Sequence, residues 1–341
     1  MLNQDHFYDW AVVALFAVSL LFVDPAFSAE QRKAGAGPIP IVNQSPIQLL
    51  FLQPVPDKAE AFSKGHGRVR LVTTVTNSLM SGTSANYEGT LDLETLRTSL
   101  DAAFGVSSRL ELGVTIPFCH YYDGMLDGFV HDVEEAYGNV RGIRETEERN
   151  TFTYSVEENG NSIISGSENT VGLGDVILRM KASVFEQAPS RPALSARVSV
   201  KLPTGRKGRG FGSGEPDWGI GLLLQKDLKS LNFYLNSDVI VPGEAFDDLG
   251  VSLREFYTLM LGVEYRITPR FSALSQASFL SRPFKHTGLA MLDRRIYALT
   301  LGLSYRIQED YLIQGGLVED ILDSQDATAD VTFFLNVGVG F

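Results

Sequence analysis

Along most of the chain apolar and polar positions alternate with a period of two, and from residue 68 onward this alternation delimits twelve candidate strands. They lie at 68–78, 88–104, 109–120, 171–185, 194–204, 215–227, 231–242, 253–267, 270–283, 294–307, 310–320 and 328–341. The last is the cleanest. Val331, Phe333, Leu335, Val337, Val339 and Phe341 form one apolar row, and Thr332, Asn336, Gly338 and Gly340 stand opposite, because strand side chains alternate. A soluble sandwich would bury such a row, whereas a transmembrane barrel would turn it to lipid. Several of these strands have ten or more residues, longer than the five or six usual in soluble sheets and suited to a tilted membrane crossing.

The connections sort by length. Residues 105–109, 227–230, 268–270 and 308–310 are tight turns. Residues 79–87, 121–170, 205–214, 243–252, 284–293 and 321–327 are longer, and 186–193 is intermediate in a short-turn slot. Short connections on one side and long ones on the other are the outer-membrane arrangement. The expected fold is therefore all-β: a transmembrane antiparallel up-and-down β-barrel of twelve strands. The long outer loop 121–170 reads as a solvated, acidic surface loop, with a short helix over 125–137 from the four-residue spacing of Met125, Phe129 and Val133.

Within the strands the two faces differ in kind. Tyr257, Leu259, Leu261, Val263 and Tyr265 oppose Thr258, Gly262, Glu264 and Arg266, and a parallel row in 294–307 runs from Tyr297 to Tyr305. Phe271 and Phe279 repeat the eight-residue aromatic spacing, which is about 26 Å along a strand and about 20 Å across a membrane once tilted. Tyr257, Tyr265, Phe271, Phe279, Tyr297 and Tyr305 are thus candidates for the two aromatic girdles. The opposite rows carry the charges, and Arg97, Asp101, Glu111, Arg179, Lys181, Arg197, Lys201, Asp238 and Glu264 are the candidate lumen-lining residues. Their mixed signs argue against a strongly ion-selective pore.

The first part of the chain breaks the pattern. Residues 11–23 are apolar and are followed by small residues before position 29, which reads as a signal peptide over residues 1–28. Thirteen apolar residues make a helix of only about 20 Å, too short to span a bilayer. Residues 29–66 contain Pro38, Pro40, Pro46, Pro54 and Pro56 and cannot be a central strand. They read as a periplasmic arm or as a plug in the barrel mouth, ahead of a barrel over 67–341.

Composition narrows the partners. Lys and Arg total 29 against 41 Asp and Glu, a formal charge of -12, which opposes nucleic acid. The single cysteine, Cys119, excludes an intramolecular disulfide and reads as a small filler on a strand. Of the five histidines, His120, His131 and His286 fall at outer-loop positions, but no nucleophile motif accompanies them. The segment 205–214 is Gly-rich and basic, yet a strand follows it and not the helix a phosphate loop requires. It reads as a basic loop facing anionic lipid headgroups.

At residues 172–175 (GLGD), 201–205 (KLPTG), 41–46 (IVNQSP) and 110–118 (LELGVTIPF) the chain resembles the Gram-negative outer-membrane barrels catalogued as domain of unknown function 3187. A looser similarity is to transporters of the meta pathway of phenol degradation. The resemblance implies a barrel in the bacterial outer membrane, and Phe341 resembles the terminal aromatic read by the barrel-assembly machinery. The expected function is a narrow pore or transporter for passive passage of a small solute. The alternatives are a lipid-modifying hydrolase or acyltransferase and a non-conducting structural barrel. Outer-membrane lipid, lipopolysaccharide, the assembly machinery and the solute are the expected partners; no metal or cofactor site is expected.

Overall fold

The computed structural model describes residues 35–124, 126, 128, 132, 135, 151–246, 251–308, 310–321 and 329–341; the expected signal segment lies outside them. The strands are β1 (Gly67–Thr83), β2 (Tyr87–Gly105), β3 (Leu110–Tyr122), β4 (Thr153–Glu158), β5 (Asn161–Ser165), β6 (Thr170–Leu173), β7 (Val176–Phe185) and β8 (Ala193–Leu202). They continue with β9 (Asp217–Leu228), β10 (Leu231–Val241), β11 (Phe256–Arg266), β12 (Phe271–Leu280), β13 (Ile296–Arg306), β14 (Tyr311–Asp320) and β15 (Val331–Gly340). All belong to one sheet.

β1 pairs with β2 on one side and β15 on the other, with Arg68 opposite Gly340 and Asn77 opposite Val331, so the sheet closes on itself. β6 and β7 pair with successive parts of β3 and make one stave between them. β4 and β5 form a hairpin attached to the outer end of β2. What remains is a closed antiparallel barrel of twelve staves. Closure satisfies every strand edge, which a sheet in hydrocarbon requires because lipid offers its backbone no partners.

The outward rows are apolar and exposed: Leu71, Leu112, Leu178, Ile220, Leu261, Leu303 and Leu335 all face out. A ten-residue strand rises about 33 Å, or about 25 Å after tilting, the height of a hydrocarbon belt. The girdle candidates share this outward face. Phe279 lies opposite Tyr297 with ring centroids 5.2 Å apart, and Phe271 lies opposite Tyr305 at the other end of the same two strands. Tyr257, half exposed, and Tyr265 stand at the two ends of the β11 row. At the seam the Gly67 N–H donates to the Phe341 carbonyl at 2.9 Å and the Phe341 N–H donates back at 3.0 Å. The Phe341 ring lies over Gly67, where a Cβ would come within 2.8 Å of it.

The outer end departs from the sequence pattern. β1 and β2 run on to Thr83 and from Tyr87, leaving only residues 84–86 as a turn where a longer loop was expected. Above the membrane this ribbon is covered on both faces, and Leu79, Met80, Leu91 and Leu93 are all buried, so the period-two signal vanishes. Loop 121–170 is likewise not wholly solvated: Tyr154, Val156 and Ile164 of the β4–β5 hairpin are buried. Within 125–137 the described Gly128, Asp132 and Glu135 are helical, and the rest of that stretch lies outside the described residues.

Candidate functional site

A chain running inside a closed barrel meets a wall whose backbone N–H and C=O groups already serve the sheet ladders. Its own buried backbone groups must then find side-chain partners. Residues 35–66 are in this position. Their five prolines remove five N–H donors and hold the chain extended, so fewer groups need partners and no strand can form. The segment enters at the tight-turn end, rises to a 3-10 turn at Gln48–Leu50 beneath the long loops, and returns to Gly67 at the end where it began.

Wall side chains serve it level by level. On the ascending limb the Glu264 carboxylate accepts from Ala36 N–H at 2.9 Å and Gly37 N–H at 3.3 Å, while Tyr234 donates to it at 2.7 Å. The Gln276 amide takes both the N–H and the carbonyl of Ile39. At the apex Lys201 donates to Leu50 O at 2.5 Å, and Asp217 accepts from Leu52 N–H at 2.7 Å. On the descending limb Arg197 donates to Val55 O at 2.7 Å, the Asn236 amide brackets the Asp57 backbone, Ser195 donates to Ala59 O, and Glu111 accepts from Phe62 N–H at 3.1 Å.

Two of the ion pairs that hold these side chains pass over a glycine. Arg197, Gly221 and Asp238 share one register row on β8, β9 and β10, and the guanidinium reaches Asp238 with contacts of 2.7 and 2.6 Å. A Cβ on Gly221 would lie 1.9 Å from Asp238 Oδ1. Arg179 crosses Gly113 in the same way to reach Asp101 at 2.6 Å; a Cβ there would lie 2.6 Å from its Cζ. Without a side chain on the intervening strand, an ion pair forms across two interstrand spacings, about 10 Å, and between Arg197 and Asp238 it is bidentate.

Above the charged levels the lumen turns apolar. Phe51 packs edge-on against Phe246, Phe256 and Phe284 at 6.5, 6.1 and 5.6 Å, and Ile47, Leu50 and Leu52 join the same cluster. The loops supply its roof: Leu289, Met291 and Leu292, the hairpin residues Tyr154 and Val156, and Phe211. Burial raises the Tyr154 phenol above its ordinary range, so it stands there neutral. Phe211 and Ser213, expected in a headgroup-facing basic loop, fold inward, and Ser213 takes a hydrogen bond from Lys201 at 2.6 Å.

All nine residues named as lumen candidates are buried on the inward face. Glu111, Lys181, Arg197, Lys201 and Glu264 bond the segment directly; Lys181 does so at Asp57 and Lys58 O. Asp238 orients Arg197, and Asp101 gathers Arg68, Arg70 and Arg179. Arg97 stands apart beside Cys119. Asp175, Ser195, Asp217, Asn236 and Gln276 belong to the same site but were not among the candidates. Inward parity alone would have found Asp217, Asn236 and Gln276. His120 points outward and stacks on Tyr122 at 5.0 Å, whereas the loop carrying His286 folds over the β1–β2 turn, where the Ser84 hydroxyl donates to Thr287 O at 2.8 Å. His131 lies outside the described residues.

The profile of the family described as "Protein of unknown function (DUF3187)" matches residues 14–341. No curated protein matches the chain in sequence. The fold is similar to that of the COG4313 outer membrane channel from Pseudomonas putida F1, with a TM-score of 0.56 at 14% identity over 85% of this chain and 100% of that one. The NanC porin (TM-score 0.45, 9% identity, 80% of this chain and 98% of that one) is a weaker likeness. So is the Ralstonia pickettii toluene transporter TbuX (TM-score 0.41, 11% identity, 82% and 90%).

Proposed function

The chain belongs to the DUF3187 family, and on that premise we propose that it is an outer-membrane channel for passive passage of a small solute, held shut by its own N-terminal segment. The observation that carries this reading is the lumen itself. It has the polar lining of a pore, and that lining is turned onto residues 35–66. A gap of about 70 Å³ between Ile41, Pro54 and β11 to β13 is too small for a metabolite, so passage requires the segment to move. The fold shared with a protein described as an outer membrane channel supports the class.

Of the expected arm over 29–66, the described residues 35–66 then act as a plug tethered to β1, not as a periplasmic arm, and the barrel lies in the outer membrane. Recordings in planar bilayers test this. The full chain should stay closed with rare openings, and a chain lacking residues 38–62 should conduct steadily. A deletion variant that folds, inserts and still carries no current would leave a non-conducting structural barrel as the answer.

A further inference from the structure

At the tight-turn end a cavity of about 250 Å³ lies between the descending limb of the segment and the walls of β1, β14 and β15. Lys58, Arg68, Arg70 and Lys181 line it. The buried carboxylates that serve these cations are few. Asp57 pairs with Arg68 at 3.3 Å and Lys181 at 2.9 Å; Asp101 pairs with Arg70 at 2.7 Å and is shared with Arg68 and Arg179; Glu111 pairs with Lys181 at 3.1 Å. With Arg179, five cations thus divide four buried carboxylates, the fourth being Glu264 beside Lys58, and the rim acids Glu60 and Asp310 are exposed to solvent, where screening weakens them.

Arg70 is only 5% exposed, and its Nη2 has no hydrogen-bond partner. Arginine cannot shed its proton; Asp101 meets Arg70 through Nε, and the second fork position, Nη2, is left as a buried charged donor with nothing to donate to. A separate observation higher in the lumen has the same sign. Arg97, 8% exposed, has no carboxylate within ion-pair distance among the described residues and lines a cavity of about 20 Å³, room for one water-sized particle.

We propose that the periplasmic vestibule binds a small anion through carboxylate or phosphate oxygens, held by Lys58, Arg68 and Arg70, and that the solute of this channel is therefore anionic. This rests on the channel reading. Counted along the sequence the lumenal charges are mixed; counted after pairing, the buried cations around this cavity outnumber the buried carboxylates that serve them by one. Guanidinium forks and an ammonium around one space suit an oxyanion, which accepts several charge-assisted hydrogen bonds at once.

Calorimetric titration of the full chain in detergent, at low ionic strength, tests this with inorganic phosphate, acetate and glycerol as probes. Saturable binding of phosphate or acetate is expected, with none for glycerol. Lys58→Met should weaken it by about tenfold, the loss of one charge-assisted contact, and Glu60→Gln should leave it unchanged or tighter. Arg70→Gln should weaken it at least as much. If that variant fails to fold, Lys58→Met decides, because Lys58 makes no ion pair among the described residues. Absent saturation, or binding untouched by Lys58→Met, overturns the site. Conductance is read separately, so a silent bilayer with intact phosphate binding would sink the channel and spare the site.

Discussion

The lower and upper halves of the lumen hold the same segment by different physics. In the lower half the contacts are hydrogen bonds and ion pairs between named atoms, and each is specific in register: the Asn236 amide fits the Asp57 backbone and no other residue's. In the upper half the Phe51 side chain and its neighbours are held by burial and close packing against loop residues, which is non-directional, and only the flanking Leu50 and Leu52 backbone is bonded, by Lys201 and Asp217. Polar contacts exchange readily with water once the segment begins to leave, so their net contribution is modest. The apolar cap loses its contacts to water outright. The comparison assigns the main resistance to opening to the cap and the positioning of the segment to the charged levels.

The largest effect should come from removing both halves together. Deletion of residues 38–62 is expected to turn a closed barrel into a conducting one in single-channel recordings. Next, Phe51→Ala should destabilise the docked segment by about 3–5 kcal/mol through the cavity it leaves, seen as a lower unfolding temperature and more frequent openings. Arg197→Leu should cost about 3 kcal/mol because it leaves Asp238 buried and unpaired; Arg197→Leu with Asp238→Leu should recover most of that in the same thermal assay. If the double variant is as weak as the single one, the ion pair is not what holds that level.

Smaller still, Gln276→Ala removes two neutral hydrogen bonds to Ile39 and should cost about 1–2 kcal/mol without changing the closed state. A Gln276→Ala effect equal to that of Phe51→Ala would erase the distinction between the halves. Deleting Phe341 touches neither half. It should slow membrane assembly, measured as the folded fraction in outer-membrane extracts, and leave lumenal behaviour of the assembled barrel unchanged.

Much of the wall can be read along the chain because lipid and lumen impose opposite demands on successive residues. That is why β8, β11, β13 and β15 stand where their alternation predicts. Where both faces are covered by protein, as at Leu79 and Met80 or in the β4–β5 hairpin, nothing enforces the alternation and the elements go unrecognised. The site divides in the same way. Charged inward residues such as Arg197 and Glu264 announce themselves by charge as well as parity; the neutral amides Asn236 and Gln276 are marked by parity alone, and what they bind is not visible until a backbone lies beside them.

By itself, then, the sequence determined the barrel: an antiparallel period of two, repeated twelve times with sorted connections, has one closed solution in a membrane. Its interior was decided by the tertiary structure. Lys201 meets Leu50 and Glu264 meets Ala36 only because closure brings residues more than 150 positions apart into one narrow space. Gly113 and Gly221, unremarkable in the chain, are where that space lets two charges meet across a strand. Local alternation encodes which way a side chain faces; what it faces depends on the ring being closed around the segment.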